Sequence, residues 1–282
     1  MKIIYTTDLH GIKWKYEKIL EQAIKQQIDM VINGGDMLPT QSNFFKQGDF
    51  IKYFLDPHFH EYEENSIYYL GMLGNDDLKV FDRLFEDTCK KYSHVHSIAQ
   101  EKVRIKDYEI IGMNLVTDLP FGLKDRARKD TDDFQFPKQI GKQYVSSDHG
   151  FIKIENWFEH ANSLPTLEEE MQNLVKPINM NKTIYIIHMP PAHLGLDVCN
   201  DGRRIGSNAI HGFLKKMQPL LSLHGHVHES YDVSNQWKNN INKTPCIQPG
   251  QSSSKENHVI YVSIDLDGLR CERISCMRED IA

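Results

Sequence analysis

The sequence is short of several things, and each shortage narrows the function. It holds five cysteines, Cys89, Cys199, Cys246, Cys271 and Cys276, and no two of them form a CxxC pair. That spacing predicts reduced thiols and no disulfide framework. It also excludes an iron–sulfur centre and a structural zinc ribbon, which need clustered thiolates. No apolar run approaches the ~20 residues needed to span a bilayer. The opening MKIIYTTDLHG turns polar too early for a secretory signal, so the expected location is the cytoplasm and no membrane is expected as partner. Positive charge is not in excess either. The net charge of −6 argues against an extended duplex nucleic-acid footprint, yet leaves a nucleotide or small phosphoester open as ligand. There is no internal repeat, no low-complexity tract and no Pro/Gly/Ser-rich linker, so the expectation is one domain over 1–282.

What is present reads as an ordinary globular chain. Its 282 residues are 40% apolar and 26% charged, enough for a sizeable core. Lys2–Thr7 is a short strand-like run. Tyr16, Ile19, Leu20, Ala23 and Ile24 share one helical face, and 29–33 is a buried strand. This βαβ order predicts parallel strands. Further strands are expected at 67–73, 182–187 and 219–223, with hairpins over 103–115 and 258–274. The pattern predicts mixed α/β layers with more than one sheet. Two stretches read as insertions, at about 38–65 and 117–182. The first lacks a clean period. The second is highly charged and contains Thr166-Leu-Glu-Glu169, a capping box opening a helix to about Val175. Such stretches serve either as lids or as solvated surface.

The strands end in polar residues of one kind. The successive endings are Asp8-Leu-His10, Gly34-Gly-Asp36, Gly74-Asn75-Asp76-Asp77, His188, and His224-Gly-His226-Val-His228. One such ending is common turn chemistry. Five together mark a site, because ligands of α/β sheets bind beyond the carboxyl ends of the strands. Carboxylate, amide and imidazole donors suit Mn²⁺, Fe, Zn²⁺ or similar ions. The candidate metal ligands are Asp8, His10, Asp36, Asn75, His188, His226 and His228. If one carboxylate bridges, they supply two four-ligand shells with positions left for water. Two ions ~3.5–4 Å apart are the usual apparatus of phosphoester hydrolysis.

In this order the motifs resemble the calcineurin-like metallophosphoesterase family, in its bacterial-type cytoplasmic branch. The family series is D-x-H, G-D, G-N, a lone His and G-H-x-H. Here it reads Asp8-Leu-His10, Gly35-Asp36, Gly74-Asn75, His188 and Gly225-His226-Val-His228. The resemblance implies an α/β fold, a four-layer αββα sandwich of two mixed sheets flanked by helices, with the metal site at the carboxyl edge of the strands. It implies two divalent ions, Mn²⁺ first, with Fe, Zn²⁺, Ni²⁺ or Mg²⁺ as other candidates. Asp8, His10 and His228 would hold one ion, Asn75, His188 and His226 the other, and Asp36 would bridge. A hydroxide bridging the ions would attack phosphorus, with the Asn75 amide and the ions neutralising phosphoryl charge. The expected function is hydrolysis of a small phosphoester, diesters ahead of monoesters, a nucleotide among the candidates. The alternative from a different class is a catalytically silent binding scaffold on the same fold; such a scaffold would lack ligands that this chain retains. Nothing in the sequence indicates an oligomeric state.

One position departs from the family. Many members carry a histidine after the G-N asparagine, thought to protonate the leaving group. This chain has Asp76, which with Asn75 completes the expected catalytic pair; Asp77 matches the acidic residue that follows. A carboxyl of ordinary pKa, about 3.9, is a poor acid at neutral pH. A neighbouring carboxylate would raise it and metal ions would lower it. Arg203 and Arg204 precede a helix over about 208–217 with Ser207 as N-cap. They are candidate substrate contacts at an anion-binding helix end, or else a solvated basic turn. His224 is expected to support the site or fill the core without ligating. His94-Val-His96 lacks the glycine of the ligand motif and is expected to be an exposed segment. His211 is a weaker candidate for the same surface, and His193 is close enough to line the cleft but is expected in a surface role.

Overall fold

The computed structural model describes residues 1–40, 43–251 and 257–278. The predicted βαβ start is present as β1 (Lys2–Thr6), α1 (Lys13–Lys25) and β2 (Met30–Asn33). Successive strand side chains point to opposite faces. Ile3 and Tyr5 therefore enter one core cluster while Ile4 enters another. A strand buried on both faces needs cover on both, and this requirement builds the layers.

After β2 the chain is helical where no period was evident. α2 (Gln47–Phe50), a π turn (Ile51–Leu55) and α3 (Asp56–Glu64) follow one another without a break. The wider π turn shifts the apolar face midway, which hides a 3.6-residue period in the sequence. Next come β3 (Tyr68–Gly71), α4 (Asp82–Cys89) and β4 (Val95–Ser97). The His94-Val-His96 segment is thus a paired edge strand and not merely exposed surface. Val95 is buried, β4 runs parallel to β3, and Glu63 accepts from the His94 amide at 2.8 Å. The first expected hairpin is β5 (Lys102–Ile105) and β6 (Tyr108–Met113).

The 117–182 region carries small elements: β7 (Val116–Thr117) pairs with β8 (Ala127–Arg128), β9 (Gln143–Ser147) with β10 (Gly150–Ile154), and α5 (Trp157–Asn162) precedes α6 (Leu167–Asn173). The Thr166/Glu169 capping box opens α6 as the sequence predicts. Then follow β11 (Thr183–Ile187), α7 (Asn208–Met217), β12 (Leu221–Leu223), α8 (Ser230–Ser234), β13 (Lys238–Ile241) and β14 (Thr244–Ile247). The closing hairpin is β15 (His258–Asp265) and β16 (Arg270–Met277).

The large strands form two six-stranded sheets, ordered β16-β15-β1-β2-β3-β4 and β13-β14-β12-β11-β6-β5. In the second sheet the four interior strands are parallel with an antiparallel pair at each margin; in the first, β1 to β4 are parallel and β15 and β16 run antiparallel on one side. Ile3, Tyr5, Ile32 and Leu70 of the first sheet share a buried layer with Ile110, Ile184, Ile186 and Leu223 of the second. The outer face of the first sheet packs on α1, α3 and α4, and that of the second on α6 and α7. Two sheets with a helical layer on each outer side give the expected αββα sandwich. Each fully buried aliphatic chain stabilises by roughly 1.5–3 kcal/mol, so the inter-sheet layer fixes how the two sheets sit together. Among the described residues no helix is long and apolar enough to cross a membrane.

Register brings the polar strand ends level. Thr6 lies beside Asn33, and Asn33 beside Gly71. In the second sheet Ile187 lies beside Met113 and Ile186 beside Leu223. The loops that leave these strands therefore emerge together at one edge of the sandwich.

Candidate metal centre

The first sheet contributes Asp8 and His10 after β1, Asp36 after β2, and Asn75 and Asp76 after β3. The second contributes His188 after β11, and His226 and His228 after β12. The loops are laced to one another. The amides of Asp8 and His10 donate to the carbonyls of Gly35 (2.9 Å) and Asp36 (3.0 Å), and the Gly225 amide donates to His188 O (2.9 Å). The Asp77 carboxylate accepts from the amides of Met37 (2.9 Å), Leu38 (2.7 Å) and Gly74 (2.7 Å), which joins the Asp36 loop to the Asn75 loop. Asp8, His10, Asp36 and His226 have positive φ, at 57°, 44°, 50° and 72°. L-residues rarely adopt that region, and Asp and His are among those that tolerate it best. Two glycines permit the close approach. A Cβ on Gly35, whose φ is +119°, would lie 2.6 Å from His188 Nδ1, and one on Gly225 would collide with the Thr7 hydroxyl.

The side chains gather into two groups that share one carboxylate. Ligand atoms of Asp8, His10, Asp36 and His228 lie within 4.8 Å of one another, as do those of Asp36, His188 and His226. Asn75 joins the second group: its Oδ1 is 3.0 Å from His188 Nε2 and 2.6 Å from His226 Nδ1. In the first group His10 Nε2 is 3.0 Å from His228 Nε2, which is 3.4 Å from Asp8 Oδ1. His188 Nε2 is 3.4 Å from Asp36 Oδ2. Two details orient these donors. His188 Nδ1–H donates to the Gly34 carbonyl (2.9 Å), which turns Nε2 toward Asp36 and Asn75. Asn75 Nδ2 donates to Asp76 Oδ1 (2.9 Å), which turns the amide oxygen toward the two imidazoles.

The electrostatics suit cations. Burial lowers the imidazoles of His10 to about 4 and His226 to about 3, so both are neutral with a free lone pair. Burial would also lower His188 and His228. In His188 the Asp36 and Asp8 carboxylates outweigh it, in His228 Asp8 does so, and both stand at about 9. Conversely, burial would raise Asp36, but His188 and His10 hold it well below the usual carboxylate range. The carboxylates thus already draw positive charge, and a divalent ion is a stronger form of it than two protonated imidazoles. Among the described residues, the buried His10 Nδ1 and His226 Nε2 have no hydrogen-bond partner. The donor set, neutral imidazoles with shared carboxylates and an amide, fits divalent ions of the Mn²⁺, Fe and Zn²⁺ kind.

A family model for calcineurin-like phosphoesterase matches residues 1–230. The chain belongs to this family. Its members use a pair of divalent ions, and the Asp/His cluster here could hold metal. No curated protein matches at a significant level. Among solved structures, one chain aligns with a TM-score of 0.61 at 17% identity, over 97% of this calcineurin-like chain and 98% of that one. The protein TT1561 of Thermus thermophilus aligns with a TM-score of 0.58 at 14% identity, over 99% of both chains. A dimetal phosphatase from Danio rerio aligns with a TM-score of 0.54 at 10% identity, again over 99% of both. These likenesses show a shared fold.

The remaining candidates of this phosphoesterase-family chain fall in different places. A cavity of about 400 Å³ takes in Asp36, Asn75, Asp76, His226 and His228, and Arg203 lines it. Arg203 is exposed, and its Nε donates to Asp201 Oδ2 at 2.6 Å. Arg204 does not line this cavity. The α7 N-terminus is not an open anion site. Asp130 already fills it, accepting from the Ser207 hydroxyl and from the amides of Asn208 (2.8 Å) and Ala209 (3.4 Å). His224 is fully buried with Nδ1 against the carbonyls of Ile187 (2.9 Å) and Met189 (3.2 Å), where burial lowers it to about 4. His193 bonds to Asn208 and His211 to Ala192 O, and neither lines the cavity. Burial, with the charge of Asp36, raises Asp76 to about 7.

Sequence reasoning missed Arg126. Buried within the 117–182 region, it donates from Nε to Gly74 O (2.7 Å) and from its guanidinium to Asp82 (2.5 Å). It thereby braces the backbone next to Asn75. Its only sequence signal was a charged run, which looks the same whether buried or solvated.

Proposed function

We propose that the chain is a phosphoesterase acting with two divalent ions on a small phosphoester, phosphodiesters ahead of monoesters. Asp8, His10 and His228 hold one ion, Asn75, His188 and His226 the other, and Asp36 serves both. The observation that carries this reading is the membership of Asp36 in both ligand groups, which lie on a cavity large enough for a substrate. When bound, such ions activate water near neutral pH and neutralise phosphoryl charge. The protein does the rest. Gly34 O orients His188, and Asp76 orients the Asn75 amide. Asn75 contacts the phosphoryl group. Asp76, facing the same cavity beside Asn75, is placed to act at the leaving oxygen. Arg203 contacts a non-reacting part of the substrate; Arg204, outside the cavity lining, is given no contact. The diester preference follows from Asp76 standing where many relatives have histidine, a weaker aid to demanding leaving groups. The five unpaired thiols suit a reducing compartment, and the cytoplasm is the proposed location.

The test is hydrolysis of bis(p-nitrophenyl) phosphate and p-nitrophenyl phosphate by protein loaded with Mn²⁺, before and after chelation, with metal content measured alongside. Turnover that is lost on chelation and restored by Mn²⁺ is expected, with the diester favoured. No turnover with Mn²⁺, Fe²⁺, Zn²⁺, Ni²⁺ or Mg²⁺ would leave the silent scaffold as the better reading. Asp76→Asn and Asp76→His, compared across leaving groups of different pKa, isolate the proton step. An unchanged leaving-group dependence removes Asp76 from it.

A further inference from the structure

We infer that Phe121 is a stacking platform for the base of a nucleoside phosphoester; the inference rests on the phosphoesterase reading above. The cavity that takes in Asp36, Asn75, His226 and His228 is also lined by Leu119 and Phe121, which come from the 117–182 region. Its volume of about 400 Å³ exceeds what a phosphoryl group alone requires and falls in the range of pockets that hold drug-sized ligands. Phe121 is 62% exposed, so its ring presents apolar surface to whatever occupies that space. Tyr53, Phe151 and Phe158 are also exposed, but among the described residues Phe121 is the one exposed aromatic lining this cavity.

The backbone around Phe121 is fixed on both sides. Lys124 Nζ donates to Leu119 O (2.5 Å) and pairs with the buried Asp118 carboxylate (2.6 Å). The Ile140 amide donates to Pro120 O (2.8 Å), and the Tyr144 amide donates to Gly122 O (2.9 Å). A ring with two rotatable bonds on a pinned backbone loses little freedom on binding, which favours its use as a rigid contact. A phenyl face offers no hydrogen-bond code but stacks on any base. The expected preference is therefore for the presence of a base and not for its identity. Base stacking on an aromatic side chain changes affinity by roughly 5- to 150-fold.

The experiment compares substrates that differ only in the base. The full chain loaded with Mn²⁺ is assayed on adenosine 5′-monophosphate against ribose 5-phosphate, and on adenylyl-(3′→5′)-adenosine against its abasic counterpart. Dissociation constants of the same compounds are measured by calorimetry. The expected result is a base preference of about fivefold or more in kcat/KM and in Kd, reduced to less than about twofold in Phe121→Ala and kept in Phe121→Trp. A preference that survives Phe121→Ala, or its absence from the unaltered protein, overturns the inference. Failure of the phosphoesterase reading looks different: no nitrophenyl ester is hydrolysed with any metal. The ratio of dissociation constants still decides the role of Phe121 in that case.

Discussion

Asp77 gives the sharpest test of how the site is held. Its Oδ2 accepts the amides of Met37 and Gly74, and its Oδ1 accepts that of Leu38. The residue is fully buried, so no water replaces a lost bond. Asp77→Ala leaves three donors unpaired. At about 1–2 kcal/mol for each, the cost is about 3–6 kcal/mol. Asp77→Asn keeps the shape. Its one remaining oxygen can serve Met37 and Gly74, but its NH₂ then faces the Leu38 amide, donor against donor. One bond is lost and one repulsion gained, for about 2–3 kcal/mol. The expected order is thus alanine worse than asparagine, by roughly 1–3 kcal/mol. The assay is urea and thermal unfolding with chelator present, so that metal binding does not add to apparent stability. At roughly 2–4 °C per kcal/mol, Asp77→Ala should melt about 6–24 °C below the unaltered protein. Because Asp77 joins the Asp36 and Asn75 loops, Mn²⁺ affinity should also fall, by about 10- to 100-fold. Equal losses for the two variants, or losses under about 1 kcal/mol for both, would refute the account of Asp77 as a three-donor staple.

Three further outcomes are expected. Asp36→Asn should lower the content of both ions, measured by mass spectrometry of the metals, because Asp36 belongs to both ligand groups; loss of one ion alone would contradict its sharing. Arg126→Met should cost about 2–4 kcal/mol in chemical denaturation, less than a fully buried broken pair because Asp82 is partly exposed, and Arg126→Lys should recover only part of it, since an ammonium cannot fork to both acceptors. His58, packed between Tyr16, Phe54 and Tyr62, is lowered by burial to about 4. The unfolded chain with its ordinary value of about 6.5 binds the proton more tightly, so stability is full above about pH 6.5 and falls as pH drops toward 4, by at most about 3 kcal/mol. His58→Phe should flatten that part of the stability curve relative to the unaltered chain, and an unchanged slope would place the titration elsewhere.

Much of the fold was legible because its signals are local. β1, α1 and β2 each carry their own periodicity, and the Thr166/Glu169 box announces α6 within four residues. The elements that escaped have non-local causes. The π turn at Ile51–Leu55 breaks the period of the helical stretch it belongs to. β14 contains Pro245 and still lies between β13 and β12, although proline ordinarily argues against an interior strand. β4 is only three residues long and is a strand because β3 pairs with it. The α7 N-terminus, an anion site on one of the two readings of the Arg203 turn, is likewise closed from a distance, by Asp130, which lies 77 positions before Ser207 in the chain.

At the site the division runs differently. The side chains that gather into the two clusters could be picked out, because each follows a strand and each is a residue type with an obvious donor. The residues that hold them in place were not. Asp77, Arg126 and the Gly34 carbonyl act through bonds spanning 40, 52 and 154 positions. The positive φ at Asp8, His10, Asp36 and His226 explains why such holding is needed. Conformations of this kind cost about 1–3 kcal/mol each and persist only where surrounding contacts over-determine them. Glycine would remove the strain at those positions, but it would remove the donor as well. The backbone must therefore be constrained by its neighbours, and the bonds from Asp8 N to Gly35 O and from His10 N to Asp36 O supply that constraint within the protein itself. A motif such as D-x-H thus records the ligand and the strained turn at once, while the constraint that makes the turn tolerable is distributed over loops that only the folded chain brings together.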